Sequence, residues 1–482
     1  MSDYDRLSAL DASFLHLESP ETPMHVGSLA IFEGASFFDA SGRFRLAEVR
    51  ALVASRLHLI PRFRTRLMNV PMDQGRPIWV DDDRFDIAYH VRLTALPKPG
   101  TWDQLLTLTG RIEAQTLDRS HPLWELWFVE GLDGGRVALV QKTHHAMVDG
   151  VSGVDVATVL LDFTPEPTVL DAPGWLPRPA PSSSKLLRDT LVERSTEPTE
   201  IARSVRGLAR APQRAAARTG KVAGAIRSMF DGSPLAPRTS FNVPVGRGRR
   251  FTGVRIPFDT VKDIRAATGG TINDVVLAGV AGAMRARMLA RGDDLPDSLR
   301  VLCPVSVRDE SEHLHLGNRV SVMFVDLPVA DDDAAGRLER IERQTHDLKE
   351  REQAVGAAFI LDLGEYAAPT LLGLAARIVH RQPFVNLVVT NVPGPQVPLY
   401  CLGARMVEAY PMVPLSRNLS LGVAILSYCG VLHFGLLVDG EVWPDLDDLA
   451  HDIEASFETL RQAVHAPGTR PAHSSAGEGA VG

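Results

Sequence analysis

The chain has 482 residues, more than one ordinary hydrophobic core supports, so two domains of about 200 residues each are expected. An apolar share of 45% with 23% charged residues fits a globular protein, and a net charge of −8 gives no general reason to bind nucleic acid. Three widely spaced cysteines (Cys303, Cys401 and Cys429) make neither a disulfide framework nor a zinc site, which points to a reducing, cytoplasmic compartment.

The N-terminus shows no secretory pattern, and no stretch reaches 18 uninterrupted apolar residues, so any membrane contact is expected to be peripheral. Residues 24–33 read as a strand. The spacing of Leu46, Val49, Leu52, Val53, Leu57 and Leu59 predicts a helix over 44–60, stopped by Pro61. Residues 76–96 look extended, and a helix over 101–117 starts from Thr101 as its N-cap. The apolar runs LWELWFVEGL and RVALVQKTHH flank Gly134-Gly135 and predict a hairpin. A helix over 151–163 follows. This alternation of strands and helices is that of a layered α/β domain over 1–165.

Residues 166–239 form an expected linker. Its first part is rich in Pro, Ser and Thr, and its second carries Arg203, Arg206, Arg210, Arg214, Arg218 and Lys221 at helical spacing, with Pro212 as a break. Three readings of that basic stripe are open: a solvated helix face, a docking face for anionic lipid, or a site for the phosphates of CoA. A second alternating region spans 240–465. It has a helix 272–289 capped by Thr271, strands near 298–307 and 319–329, and a long helix 333–353. An apolar helix near 368–380 and strands 384–393, 418–428 and 431–439 complete it. The tail, 466–482, is small and polar, a composition typical of disorder.

The stretch VQKTHHAMVDGVSG (140–153) concentrates the candidate chemistry. Successive side chains of a strand point to opposite faces, so His144 and His145 diverge unless the strand has already ended. That argues against a metal site, and no HExxH or CxxC accompanies them. A neutral imidazole near pH 7 can instead take a proton from a hydroxyl and return it to a leaving group. Asp149 either orients that imidazole or pairs with an arginine to hold the loop, and its place across the turn favours the loop role. Gly150 permits the positive φ of a tight turn. The sequence GVSGV at 150–154 is not G-x-S-x-G, so no serine nucleophile elbow is offered.

The HHxxxDG pattern in a two-domain α/β chain resembles the CoA-dependent acyltransferase superfamily, which includes chloramphenicol acetyltransferase and peptide-synthetase condensation domains. Further segments resemble one branch, the bacterial wax ester synthase/diacylglycerol acyltransferases. These are LSALDASFLHLESPETPMHVGSLAIFEG near the start, PLWE at 122–125, TINDVVLA at 271–278, PVSVR at 304–308, LGNRVS at 316–321 and TNVPGP at 390–395. The resemblance implies two chloramphenicol-acetyltransferase-like domains with the active-site tunnel between them, and long-chain acyl transfer from acyl-CoA to diacylglycerol or a fatty alcohol. It makes His145 the base and Asp149 a conformational support. No metal or redox cofactor is implied, acyl-CoA being a substrate, and contact with a membrane or lipid droplet is expected.

Other residues carry second readings. His144 to Asp149 also spells HxxxxD, the pattern of glycerol-phosphate acyltransferases, in which the first histidine would be the base; otherwise His144 is a packing or hydrogen-bonding neighbour of His145. Asn273 and Asp274 open a helix, Asp274 as a capping charge, and by resemblance support the site. Trp124 and Trp127 read as core, Pro122 and Glu125 as the turn beside the tunnel, and Pro393-Gly394-Pro395 as a structural turn. The charge-poor segment Ala367–His380, with Gly373 and Ala376, is the candidate wall of an acyl conduit. A backbone N–H near Gly150, or Asn273, is the candidate oxyanion donor. Two functions compete with acyl-CoA transfer: a condensation-type transferase fed by a carrier protein, and a lipid-surface binding protein without turnover.

Overall fold

The computed structural model describes residues 4–147, 153–171, 173–192, 235–306, 320–354 and 384–466. Two six-stranded mixed sheets dominate it. In the first, β2 (His25–Glu33), β6 (Trp124–Leu132) and β7 (Arg136–His144) are antiparallel neighbours, and β5 (Val91–Ala95) lies parallel to β6 at one edge. The expected β6–β7 hairpin is present. Gly134 and Gly135 take φ of 74° and 67°, a turn open to glycine without strain. A small sheet of β1 (Asp5–Arg6), β4 (Ile78–Asp81) and β3 (Thr65–Met68) stands apart from it.

The second sheet has the order β10, β9, β11, β14, β15, β8. Its members are β8 (Arg249–Pro257), β9 (Leu299–Ser306), β10 (Val320–Leu327), β11 (Leu387–Pro393), β14 (Leu421–Tyr428) and β15 (Val431–Asp439). The two sheets are not each built from one half of the chain. The strands β12 (Tyr400–Cys401) and β13 (Ala404–Met412), late in sequence, extend the first sheet by pairing β13 with β2.

Helices cover both faces of the first sheet. On one side α1 (Ala9–Leu17), α2 (Leu46–Arg56) and α5 (Gly153–Leu160) flank a core that includes Phe32, Val49, Leu52, Trp124 and Phe128. On the other, α4 (Trp102–Glu113) lies against β8 of the second sheet, with Leu105, Ile112, Val140, Phe251 and Tyr410 in one cluster. A Cβ at Gly110 would sit 2.5 Å from the Arg249 carbonyl oxygen, so this close approach requires glycine. The second sheet packs its other face on α7 (Phe258–Thr268), α8 (Ile272–Arg291), α9 (Ala334–Ala354) and α10 (Leu446–Val464). Two short helices, α3 (Ile87–His90) and α6 (183–192), lie between these in the chain.

Thr101 and Thr271 cap α4 and α8 as expected, each in a reciprocal capping box, with Gln104 and Asp274. The extended reading of 76–96 is corrected: α3 interrupts it because Asp86 accepts a hydrogen bond from the Ala88 amide. The helix expected over 151–163 stops at Leu160. Asp162 instead exchanges both backbone hydrogen bonds with Tyr400, and its buried carboxylate pairs with Arg56.

Candidate active site

Strand pairing brings the candidate chemistry to one end of the first sheet. His144 is the last residue of β7 and faces His25, the first of β2. The His144 amide donates to the Leu123 carbonyl at 2.9 Å and the His145 amide to the Met24 carbonyl at 2.8 Å. The strand then gives way to a tight helical turn over His145–Met147, so the alternation of strand side chains no longer governs His145.

His144 is fully buried. Its Nδ1 accepts the Ala146 amide at 3.0 Å, which leaves the ring proton of the neutral form on Nε2. That nitrogen stands 3.4 Å from Glu18 Oε1. Glu18 closes α1, and its side chain is 5% exposed. The carboxylate accepts from Arg119 Nε at 3.2 Å and Nη2 at 2.8 Å, and from the Met24 amide at 3.3 Å, while His25 Nε2 lies 3.6 Å away. Burial by itself would raise the Glu18 pKa. His144 and Arg119 outweigh it and hold the carboxyl down to about 2. Burial keeps His25 neutral, well below the usual histidine range, with the Lys142 charge acting in the same direction.

His145 sits differently. Its ring stacks on Phe14 of α1, centroids 3.9 Å apart and planes at 22°. The residue keeps some exposed surface, yet burial of the ring pushes its pKa down to about 4. It is therefore neutral at pH 7, the form in which an imidazole nitrogen can accept a proton. Behind the pair, Lys142 is buried and donates to the Ile112 and Gln115 carbonyls at 2.8 and 2.6 Å, capping the end of α4.

Asp149 and Gly150 lie outside the described residues, as do the basic stripe 203–221 and the segment Ala367–His380 with Gly373 and Ala376. Asn273 and Asp274 occupy the first turn of α8. Asp274 is buried; it accepts from the Thr271 amide and hydroxyl at 2.8 and 2.7 Å and from the Thr345 hydroxyl of α9 at 2.6 Å. Its carboxylate thus joins two helices of the second half, and Asn273 beside it is half-buried. In PLWE, Trp124 is fully buried, donates to the Phe63 carbonyl and stacks on His90, while Trp127 is half-buried and donates to Glu125 at 2.8 Å. Glu125 also pairs with Arg92 at 3.0 Å. The turn at Pro393-Gly394-Pro395 is tied down by a bond from the Gly394 amide to the Ser427 hydroxyl.

A groove of about 890 Å³ between Phe38, Leu96, Pro99 and the β6–β7 turn is far from this chemistry. It lies at the hairpin end of β7, roughly 27 Å of strand from His144. The site is better located by its side chains than by that hollow.

Sequence reasoning missed Phe14, Glu18, His25 and Arg119. Two signals were present. Ser8 and Asp11 form an N-cap, Ser8 Oγ accepting the Asp11 amide at 3.0 Å, and a cap there implies α1 and the placement of Phe14 and Glu18 at its end. An antiparallel pairing of the two expected strands would also have set His25 against His144.

Comparison with known proteins finds relatives over most of the chain. Residues 7–276 match the model of the wax ester synthase/diacylglycerol acyltransferase catalytic domain and residues 316–461 that of the family's C-terminal domain. A Mycobacterium tuberculosis (H37Rv) protein named "Probable diacyglycerol O-acyltransferase tgs2" is 35% identical over 467 residues, 95% of this chain and 99% of that one. The solved wax ester synthase/diacylglycerol acyltransferase from Marinobacter aquaeolei VT8 superposes with a TM-score of 0.68 at 26% identity, covering 95% of this chain and 99% of its own. The first condensation domain of the CDA synthetase shares the fold, with a TM-score of 0.55 at 15% identity over 96% of each chain. The layered α/β fold expected from the sequence is the one present.

Proposed function

From the premise that this chain belongs to the wax ester synthase/diacylglycerol acyltransferase family and is an acyltransferase, we propose that it moves a long-chain acyl group from acyl-CoA to diacylglycerol or a long-chain alcohol, with His145 as general base. The observation that carries this reading is the contrast between the two histidines. His144 has its Nδ1 engaged by the Ala146 amide and its Nε2 turned to a carboxylate, in full burial. His145 is neutral, stacked on one face, and retains open surface. The glycerol-phosphate acyltransferase pattern, which needs His144 as base, fits that environment poorly.

The proposed step is direct. The His145 imidazole takes the acceptor hydroxyl proton as the oxygen bonds to the thioester carbonyl carbon. The carbon–sulfur bond then breaks, and the imidazolium returns the proton to the leaving thiolate. Ester and free CoA result, with no acyl-enzyme and no metal or redox cofactor in the step. A positioned base contributes on the order of 10²–10⁴-fold to such a reaction.

Peripheral contact with a membrane or lipid droplet belongs to the same reading, because the acceptors are lipids. Among the described residues no helix is long and apolar enough to cross a membrane, while Leu176 and Leu191 are exposed close to Lys185 and Arg188 in sequence. The test is incubation of purified protein with palmitoyl-CoA and either hexadecanol or a diacylglycerol, following free thiol and lipid product together. Ester formed in step with thiol, with intersecting double-reciprocal plots, supports the proposal. Thiol release without ester, or ping-pong kinetics, overturns it.

A further inference from the structure

We infer that Glu18 is a positioning residue that fixes the tautomer of His144 and, through it, the turn that carries His145. The inference rests on the reading of His145 as the base and adds to it a residue at the end of a different helix. The chain of contacts is short. Arg119 and the Met24 amide hold the Glu18 carboxylate, Glu18 Oε1 faces His144 Nε2 at 3.4 Å, and His144 Nδ1 accepts the amide of Ala146, the residue after His145.

An imidazole that accepts at Nδ1 must carry its proton at Nε2. A buried carboxylate opposite Nε2 favours that form, since it is an acceptor only. Were the proton on Nδ1, two donors would face each other at Ala146 and the turn would lose the bond that closes it. Burial makes such a mismatch costly, because neither group has water to turn to.

Glu18 is tied to His145 from a second side. It is the C-cap of α1, its amide donating to the Phe14 carbonyl, and the Phe14 ring is the surface on which His145 stacks. One residue therefore closes the helix beneath the base through its backbone amide and faces the histidine that holds the turn through its carboxylate. Its neighbours from every packed element are Arg119, His25 of β2 and His144 of β7. Among the described residues no further acidic or basic side chain pairs with it.

The replacement Glu18→Gln keeps the size but removes the charge and puts an amide donor where one carboxylate oxygen stood, so that either Arg119 or His144 Nε2 meets a donor. It is expected to lower kcat about 10- to 100-fold, part of what a positioned base contributes, with KM for both substrates within about twofold. A simple packing defect would act alike in any background, so the same change is made in His144→Asn, whose amide oxygen can accept the Ala146 amide in either case. There Glu18→Gln is expected to cost no more than about twofold of the remaining rate. Equal losses in both backgrounds overturn the inference.

A measurement independent of turnover guards against variants that fold poorly. Nitrogen-15 histidine spectra of the unmodified protein, assigned by the signal missing in His144→Asn, are expected to show His144 protonated at Nε2 alone. Protonation at Nδ1 overturns the inference, whatever the rates. Full activity in His145→Ala would instead remove the proposed base and leave the Glu18–His144 tautomer linkage standing, so the two failures are distinguishable.

Discussion

At His145 the decisive quantity is the proton affinity of one ring. Burial pushes its pKa down to about 4, so the neutral, proton-accepting form is present above that value and lost as pH falls through it. The pH profile of kcat/KM, which reports the free enzyme, should therefore be level between about pH 5 and 8 and fall tenfold per unit below about 4. A limb near 6.5 in steady-state measurements would mean a ring open to water. Part of this was legible in the sequence: HHxxxDG singled out His144 and His145, and the strand reading left open whether the strand ends before the second of them, as it does. Arg119 was not, and Glu18 and Phe14 only as the end of a capped helix, because no local pattern records a contact across roughly a hundred residues.

At the scale of elements, ends proved harder to read than interiors. The apolar cores of β2, β6, β7 and α8 announce themselves by period, whereas α1 begins at a Ser8 cap and α5 ends where Asp162 leaves the helix to bond with Tyr400. Asp162 also pairs with Arg56, both nearly buried, and Arg56 Nη2 donates to the Thr168 carbonyl at 2.9 Å. Removing one member of a buried pair leaves the other charge without its counterion. Asp162→Ala should thus lower unfolding free energy in urea by about 3–5 kcal/mol, and pairing it with Arg56→Met should recover part of the loss. A single-mutant cost under about 1 kcal/mol, that of an exposed pair, would contradict the burial seen here.

At the scale of the molecule, the halves are joined by exchange. Strand β13 from late in the chain completes the first sheet beside β2, and Gly435 of β15 meets the β13 backbone so closely that a Cβ would fall 1.8 Å from the Pro411 carbonyl oxygen. Sequence period could identify strands but not their partners, since pairing across nearly four hundred residues leaves no local trace. The structure predicts that Gly435→Ala destabilises by about 1–3 kcal/mol, as overpacking does, and that unfolding followed by tryptophan fluorescence and by circular dichroism coincides. Two separate transitions would show halves that fold independently. In the proposed mechanism both sheets and their exchange hold one imidazole beside a lipid alcohol and a thioester. The most direct measurement is free thiol release from palmitoyl-CoA, with hexadecanol or a diacylglycerol present, by the unaltered protein and by His145→Ala. A loss of about 10²–10⁴-fold in the folded variant is the predicted result, and equal rates in the two proteins would contradict it.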